Sequence, residues 1–404
     1  MLVPILMAAI FGSGRMTDAY FIAYSAVLFV GGTLGQGVEQ AIVPFAAREI
    51  HRGDGSARYY LEAAARYGAG AAAVIWILCV PVLEWLTSAD LRRLVFEYAL
   101  CFTPLAVAWC AASTFSGALI SEYEIAKATG SMLFRGAGAL AGLMLVPLGG
   151  GLWGVALGLG AGEVLRLWWL RRQLIRRVPA TGETRRAPLG PLARAASAQT
   201  GASAAIGAAP VVERLLALSL GVGAVSHLEY AMRVFSIASV LFDGALVPLL
   251  LARWTSHVTV TGAPPARRDV FRVLAKGLAV AGGVALLLPL VATPLVELLL
   301  RHGRFTSADA VAVAAVVRAL AVAYVANAGS SLVERYYIAS RRNRTLAALS
   351  LGRAALRLVT AWSLLGSEGL IAFPIGFAVS ECTYLFVLLL LTRADQPVQV
   401  KARP

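Results

Sequence analysis

The candidate ionisable residues inside long apolar runs are Arg135, Glu163, Arg166, Glu213, Arg214, Glu229, Arg233, Asp243, Arg318, Glu334, Arg335, Arg353, Arg357 and Glu381. A charge in hydrocarbon costs about 2.5–3.5 kcal/mol on insertion scales, so each must face protein or a wet cavity. Arg233 is the most informative. In Glu229-Tyr230-Ala231-Met232-Arg233 the acid and the base stand at i and i+4, on one helix face, and can pair. Glu213-Arg214, on the preceding apolar run, could extend the same polar patch. Two chemistries fit these residues. One is an interhelical ion-pair lattice; the other is a guanidinium clamp on a phosphate, as an anionic lipid headgroup would need. Glu163 and Glu381 are candidates either for function or for internal pairing with Arg135 and Arg353. Arg166, just ahead of Trp168-Trp169, reads as an arginine that snorkels to the membrane surface, and Glu334-Arg335 reads as structural.

Enzyme chemistry finds no support. The sequence has no Walker loop, HExxH, CxxC or G-x-S-x-G motif, and no soluble stretch large enough for a nucleotide domain. Its histidines (His51, His227, His257, His302) lack metal-ligand spacing, and its cysteines (Cys79, Cys101, Cys110, Cys382) all lie in apolar runs. No cofactor and no metal are expected.

The elements that must hold these charges follow from composition. Of 404 residues, 59% are hydrophobic and 14% charged, against about 45–50% and about 25% in soluble domains. Mean hydropathy is +0.74. Too few polar residues exist to coat soluble domains, so the chain reads as an all-α polytopic membrane protein. Ten-residue alternating segments are missing, which argues against a β-barrel. Eleven full spans are expected near 19–45, 63–86, 97–120, 129–148, 150–170, 196–220, 224–251, 277–299, 307–338, 345–365 and 369–392. The run Leu2–Phe11 is half a span. It lacks a basic n-region and a small-x-small site, so the expectation is a truncated first helix rather than a signal peptide.

The net charge of +14 comes from basic residues clustered in short loops, which favours anionic lipids over nucleic acid as partner. Counting the half-span as the first, loops after even-numbered spans plus the tail hold 22 lysines and arginines, and loops after odd-numbered spans hold five. That bias predicts cytoplasmic N- and C-termini.

The chain also repeats itself. Gly12-Ser13-Gly14 and Gly221-Val222-Gly223 lead into the second and eighth spans, and Ala41-Ile-Val-Pro44 answers Ala245-Leu-Val-Pro248. Beyond that the offset is a steady 218: Arg135 and Arg353, Gly158 and Gly376, Glu163 and Glu381. Two six-helix bundles related by a parallel repeat are expected, the arrangement of alternating-access transporters. The boundaries are an N-terminal bundle over 1–170, a basic cytoplasmic linker over 171–194, a C-terminal bundle over 195–393 and a cytoplasmic tail over 394–404.

Several segments together resemble the MviN/MurJ family of the multidrug/oligosaccharidyl-lipid/polysaccharide exporter superfamily. They are Phe11-Gly-Ser-Gly-Arg-Met-Thr-Asp18-Ala-Tyr-Phe21, Gln40-Ala-Ile-Val-Pro44, Val212–Ser226 with Tyr230-Ala-Met-Arg233, Arg301–Asp309 and Tyr336–Thr345. The resemblance implies a flippase that moves an undecaprenyl-pyrophosphate-linked saccharide, lipid II or an exopolysaccharide precursor, across the bacterial inner membrane. It places the family's functional aspartate on Asp18 and its eighth-helix arginine on Arg233. The family's first-helix cations fall upstream of Met1. Its second-helix arginine pair gives way here to the uncharged stretch Val27–Gln36, and the acids flanking the eighth-helix arginine give way to Met232 and Ser236.

A polyprenyl-pyrophosphate-linked saccharide and membrane lipids are the expected partners, with a coupling cation as a further one. Three other readings stay open: a polysaccharide repeat-unit translocase of the same fold, a cation-coupled drug exporter, and a transport-inactive membrane scaffold.

Overall fold

The computed structural model describes residues 2–52, 56–177, 189–243, 265–340 and 342–394, with short pieces at 250, 253–254, 257–258 and 261. Residues 178–188 of the expected linker, the Ala245–Pro248 repeat segment, Arg341 and the tail beyond 394 lie outside the described residues. Among those described, the secondary structure is helical and no strand occurs.

The elements are α1 (Leu2–Phe11), α2 (Arg15–Val27), α3 (Leu34–Arg52), α4 (Ser56–Leu86), α5 (Ala89–Ser121), α6 (Ile125–Gly130), α7 (Leu133–Met144) and α8 (Gly151–Ile175). They continue with α9 (Gly190–Ala217), α10 (Ala224–Asp243), α11 (Arg267–Leu300), α12 (Ser307–Ala339), α13 (Asn343–Glu368) and α14 (Ala372–Ala394). Among the described residues, six segments are long and apolar enough to cross a membrane: Arg15–Ile50, Ala57–Leu86, Ala89–Ser121, Arg267–Leu300, Ser307–Ala339 and Thr345–Arg393. The last takes in two of the expected spans, and the expected spans near 129–148, 150–170, 196–220 and 224–251 fall on the helices α7, α8, α9 and α10. The protein is a multi-pass, all-α membrane protein.

Packing divides the chain into two compact units. One comprises Gly14–Leu218; the other comprises Val3–Ser13 together with the chain from Ser219 onward. Against the expected bundles 1–170 and 195–393, α1 therefore packs with the second unit and α9 with the first. The chain changes unit next to the Gly-x-Gly segments at 12–14 and 221–223.

In the first unit α5 is the central helix, packed by α2, α3, α4 and α8. In the second that place belongs to α12, packed by α10, α11 and α14. These two helices begin and end 218 residues apart, at Ala89–Ser121 and Ser307–Ala339. The helix α13 likewise starts 218 residues after α6, but runs straight where the first unit breaks into α6 and α7.

Two local features position the charged residues. The helix α2 continues into α3 through a π-helical turn, Leu28–Thr33. Gly31 and Gly32 in that turn lie against Trp109 of α5, and a Cβ at Gly31 would meet the indole at 3.1 Å. The helices α7 and α8 meet through glycines: a Cβ at Gly138, Gly142, Gly158 or Gly162 would collide with the facing backbone. Small residues allow that approach, which brings Arg135 of α7 onto Glu163 of α8.

Candidate functional site

Within the first unit, Glu163 is fully buried and holds two arginines. Arg135 Nε donates to Glu163 Oε2 at 2.7 Å, with Nη2 also 2.7 Å from that oxygen. Arg166 Nη1 donates to Glu163 Oε1 at 2.8 Å, and its Nε donates to Ser131 Oγ at 2.9 Å. The Arg135 guanidinium also stands over the Trp109 ring, 3.6 Å from its centroid. The expectation that Arg166 snorkels is corrected: it is 0% exposed. At i+3 from Glu163 it points along the buried face of α8, and its ion pair outweighs the pull of the interface.

The second unit holds the counterpart pair with different company. Arg353 Nη1 lies 3.4 Å from Glu381 Oε1 and 3.3 Å from Glu334 Oε1, and its guanidinium is 4.4 Å from the Tyr384 ring centroid. Here one arginine serves two carboxylates. Glu381 Oε2 is buried and makes no hydrogen bond among the described residues.

On α10, Arg233 and Glu229 pair as their spacing implies. Arg233 Nε donates to Glu229 Oε1 at 2.9 Å, and Nη2 lies 2.8 Å from the same oxygen. Glu229 is buried, whereas 35% of the Arg233 side chain remains exposed. A buried carboxylate thus fixes a guanidinium that is partly presented outward. Of the other residues singled out from sequence, Asp18 is buried in the first turn of α2, and Glu213 and Arg214 are buried near the end of α9, where Arg214 Nη1 donates to Pro210 O at 2.7 Å. Glu213 and Arg214 belong to the first unit; Glu229 and Arg233 belong to the second.

One cluster escaped sequence reasoning. Asp309 Oδ1 accepts from Ser13 Oγ at 2.5 Å and lies 2.8 Å from His227 Nε2. Asp309 Oδ2 closes a capping box with Thr306 at the start of α12. Gly12, at φ +68°, packs on the Arg304 carbonyl, and the Arg304 N–H donates to Ala9 O at 2.8 Å. One carboxylate therefore ties α1, α10 and α12 together within the second unit. The residues are up to 296 positions apart, so no local spacing betrays them. Among the described residues no three His, Cys, Asp or Glu side chains gather as metal ligands would.

No curated protein matches the chain by sequence. Solved structures do match by fold. The chain is similar to a lipid II flippase MurJ in an inward closed conformation, at TM-score 0.80 and 16% identity, over 97% of this chain and 84% of that one. It is also similar to an inward-facing multidrug resistance MATE family transporter of the MOP superfamily, at TM-score 0.78 and 17% identity, over 97% and 92% of the two chains. An outward-facing MATE transporter matches at TM-score 0.67 and 16% identity, over 97% and 90%. At such identities these likenesses show the fold. The model of the family described as lipid II flippase MurJ matches residues 7–402. The chain belongs to the lipid II flippase MurJ family.

Proposed function

We propose that this protein is an alternating-access flippase for an undecaprenyl-pyrophosphate-linked saccharide, either lipid II-like or an exopolysaccharide precursor, in the bacterial inner membrane. The observation that carries the reading is Arg233: a guanidinium inside an apolar helix, fixed by a buried Glu229 and still 35% exposed. A pyrophosphate carries its charge on planar sets of oxygens that a guanidinium meets with two parallel N–H donors, whereas lysine offers a point charge. Membership of the family supports a lipid-linked precursor as cargo.

In this reading the polyprenyl tail stays in the bilayer while the headgroup crosses through protein. Arg233 offsets the headgroup's charge, and Glu229 keeps the guanidinium from swinging away or losing its orientation. Gly12-Ser13-Gly14 and Gly221-Val222-Gly223, next to which the chain changes unit, are the places where the backbone would absorb rocking. The bias of 22 to five basic residues supports cytoplasmic termini.

The test is reconstitution. Purified protein in vesicles loaded with an undecaprenyl-pyrophosphate-linked saccharide should expose the inner-leaflet pool to an added sugar-modifying enzyme, well above the rate in empty vesicles. Exposure no faster than in empty vesicles, with folded protein, would overturn the proposal. A reporter at the C-terminus should read cytoplasm and one at Ser307 periplasm; the reverse would overturn the orientation.

A further inference from the structure

Three glutamines of the first unit are exposed at depths where hydrocarbon is expected: Gln36 and Gln40 on α3, and Gln199 on α9. The span Arg15–Ile50 has 36 residues, so Gln36 and Gln40 stand about 5 and about 11 Å from its midpoint at about 1.5 Å per residue. Gln199 on α9 bonds to Gln40 and so stands at about the same depth. All three fall inside the half-thickness of about 15 Å of the bilayer core. Exposed amides at that depth are costly against lipid tails, so they belong to a wet path.

Their neighbourhood fixes their arrangement. Gln36 and Gln40 are i and i+4 on one face of α3. Gly37 packs so tightly on Thr200 that a Cβ there would collide with the threonine hydroxyl, and Gly207 packs on Thr33 in the same manner. That approach brings Gln199 Nε2 to donate to Gln40 Oε1 at 2.5 Å. An amide has two N–H donors and one acceptor oxygen, so after this bond the pair still offers donors and an acceptor, and Gln36 makes no hydrogen bond to a described residue.

The charges a phosphate would require are missing from this stretch. Gly31 and Gly32, one turn away, are buried, and Gly31 lies too close to Trp109 to admit a long side chain without a shift.

We propose that Gln36, Gln40 and Gln199 form a neutral hydrogen-bonding strip that reads the hydroxyl groups of the saccharide carried by the lipid. Sugar hydroxyls both donate and accept, as amides do, and neutral bonds can be exchanged as the sugar passes without stranding a charge. The proposal rests on the flippase reading.

The experiment measures binding of two probes, undecaprenyl pyrophosphate and undecaprenyl-pyrophosphoryl-glucose, to the full chain in nanodiscs. The wild type should prefer the glucosylated probe, by about fivefold for each hydrogen bond gained. Gln40→Leu with Gln199→Leu should reduce the preference to the share Gln36 supplies, about fivefold, while leaving the sugar-free probe within about twofold of wild type. Gln36→Leu removes no hydrogen bond to a described residue, so it should lower the preference by about fivefold without lowering thermal stability. Equal affinities in the wild type, or a preference that survives all three changes, would overturn the strip and leave the flippase reading standing. A folded wild type that binds neither probe would overturn both.

Discussion

The first unit surrounds its Arg135–Glu163 pair with a second cation, while the second unit surrounds the pair 218 residues later, Arg353–Glu381, with a second anion. At the same offset Arg166 becomes Tyr384, and Ser116 becomes Glu334. Both arginines also rest on an aromatic ring, Trp109 in one case and Tyr384 in the other. The difference is one of desolvation and charge count. Glu163 and Arg166 are wholly buried, so every member of that triad depends on the others. Arg353 is about as exposed as Arg135, but its second partner Glu334 is 21% exposed where Arg166 is wholly buried. A shared scaffold position thus became a cation-rich, closed lattice in one unit and a carboxylate-rich, more exposed one in the other.

The largest expected effect breaks the closed lattice. Glu163→Ala leaves Arg166 charged, buried and without a carboxylate, which should cost about 3–5 kcal/mol. It should appear as a large fall in thermal stability and membrane yield. A stability near wild type would remove the contrast between the units.

Next, Gly158→Leu should separate α7 from α8, because even a Cβ there collides with the Gly138 backbone. Overpacking of this kind costs about 1–3 kcal/mol. The same change at Gly376, whose Cβ would meet Arg357 O at 2.6 Å, should act in the same direction in the second unit. A loss confined to Gly158→Leu would show that close helix approach matters in one unit alone.

Glu381→Gln should be the mild counterpart of Glu163→Ala. It removes one of two acids that share Arg353 and keeps the shape, so the change in stability should stay under about 1 kcal/mol. A fall as large as that of Glu163→Ala would mean that the second lattice is as closed as the first.

The smallest effect lies outside the membrane spans. Glu124 accepts from Lys127 at 3.1 Å and pairs with Arg177, and the Lys127 contact above all holds its carboxyl below the usual carboxylate range. A carboxyl held low when folded contributes stability above its unfolded pKa and loses it as pH falls through the folded value. Glu124→Gln should therefore lower melting temperature slightly at neutral pH and not at strongly acidic pH. The site is exposed, so salt should erase the difference.

Much of this was legible in the sequence. Apolar runs gave the helices, and the offset of 218 with one acid and one arginine in each half left pairing and function as two open readings, of which the geometry shows the pairing. Arg166 was misread because the tryptophans beside it suggest an interface, while its partner stands three residues back on the same face. The Ser13–His227–Asp309 cluster was invisible because three distant segments supply it. The grouping of α1 with the second unit and α9 with the first depends on tertiary packing, which no hydrophobic period encodes. Gln36 and Gln40 enter the sequence reading only as the ends of segments, and Gln199 not at all, because uncharged polar residues barely disturb a hydropathy profile, although each is costly at the depth it occupies.

The central claim is that Arg233 meets a pyrophosphate rather than only Glu229, and substitutions assayed by headgroup flipping in vesicles test it most directly. Arg233→Lys should insert normally and lose at least about tenfold in rate, because an ammonium cannot reproduce two coplanar hydrogen bonds. The paired change Glu229→Gln with Arg233→Gln removes both charges without stranding a buried carboxylate, so protein level should stay near wild type while flipping is lost. Flipping restored to the wild-type rate in that double variant would contradict the account and leave Arg233 as half of a structural ion pair.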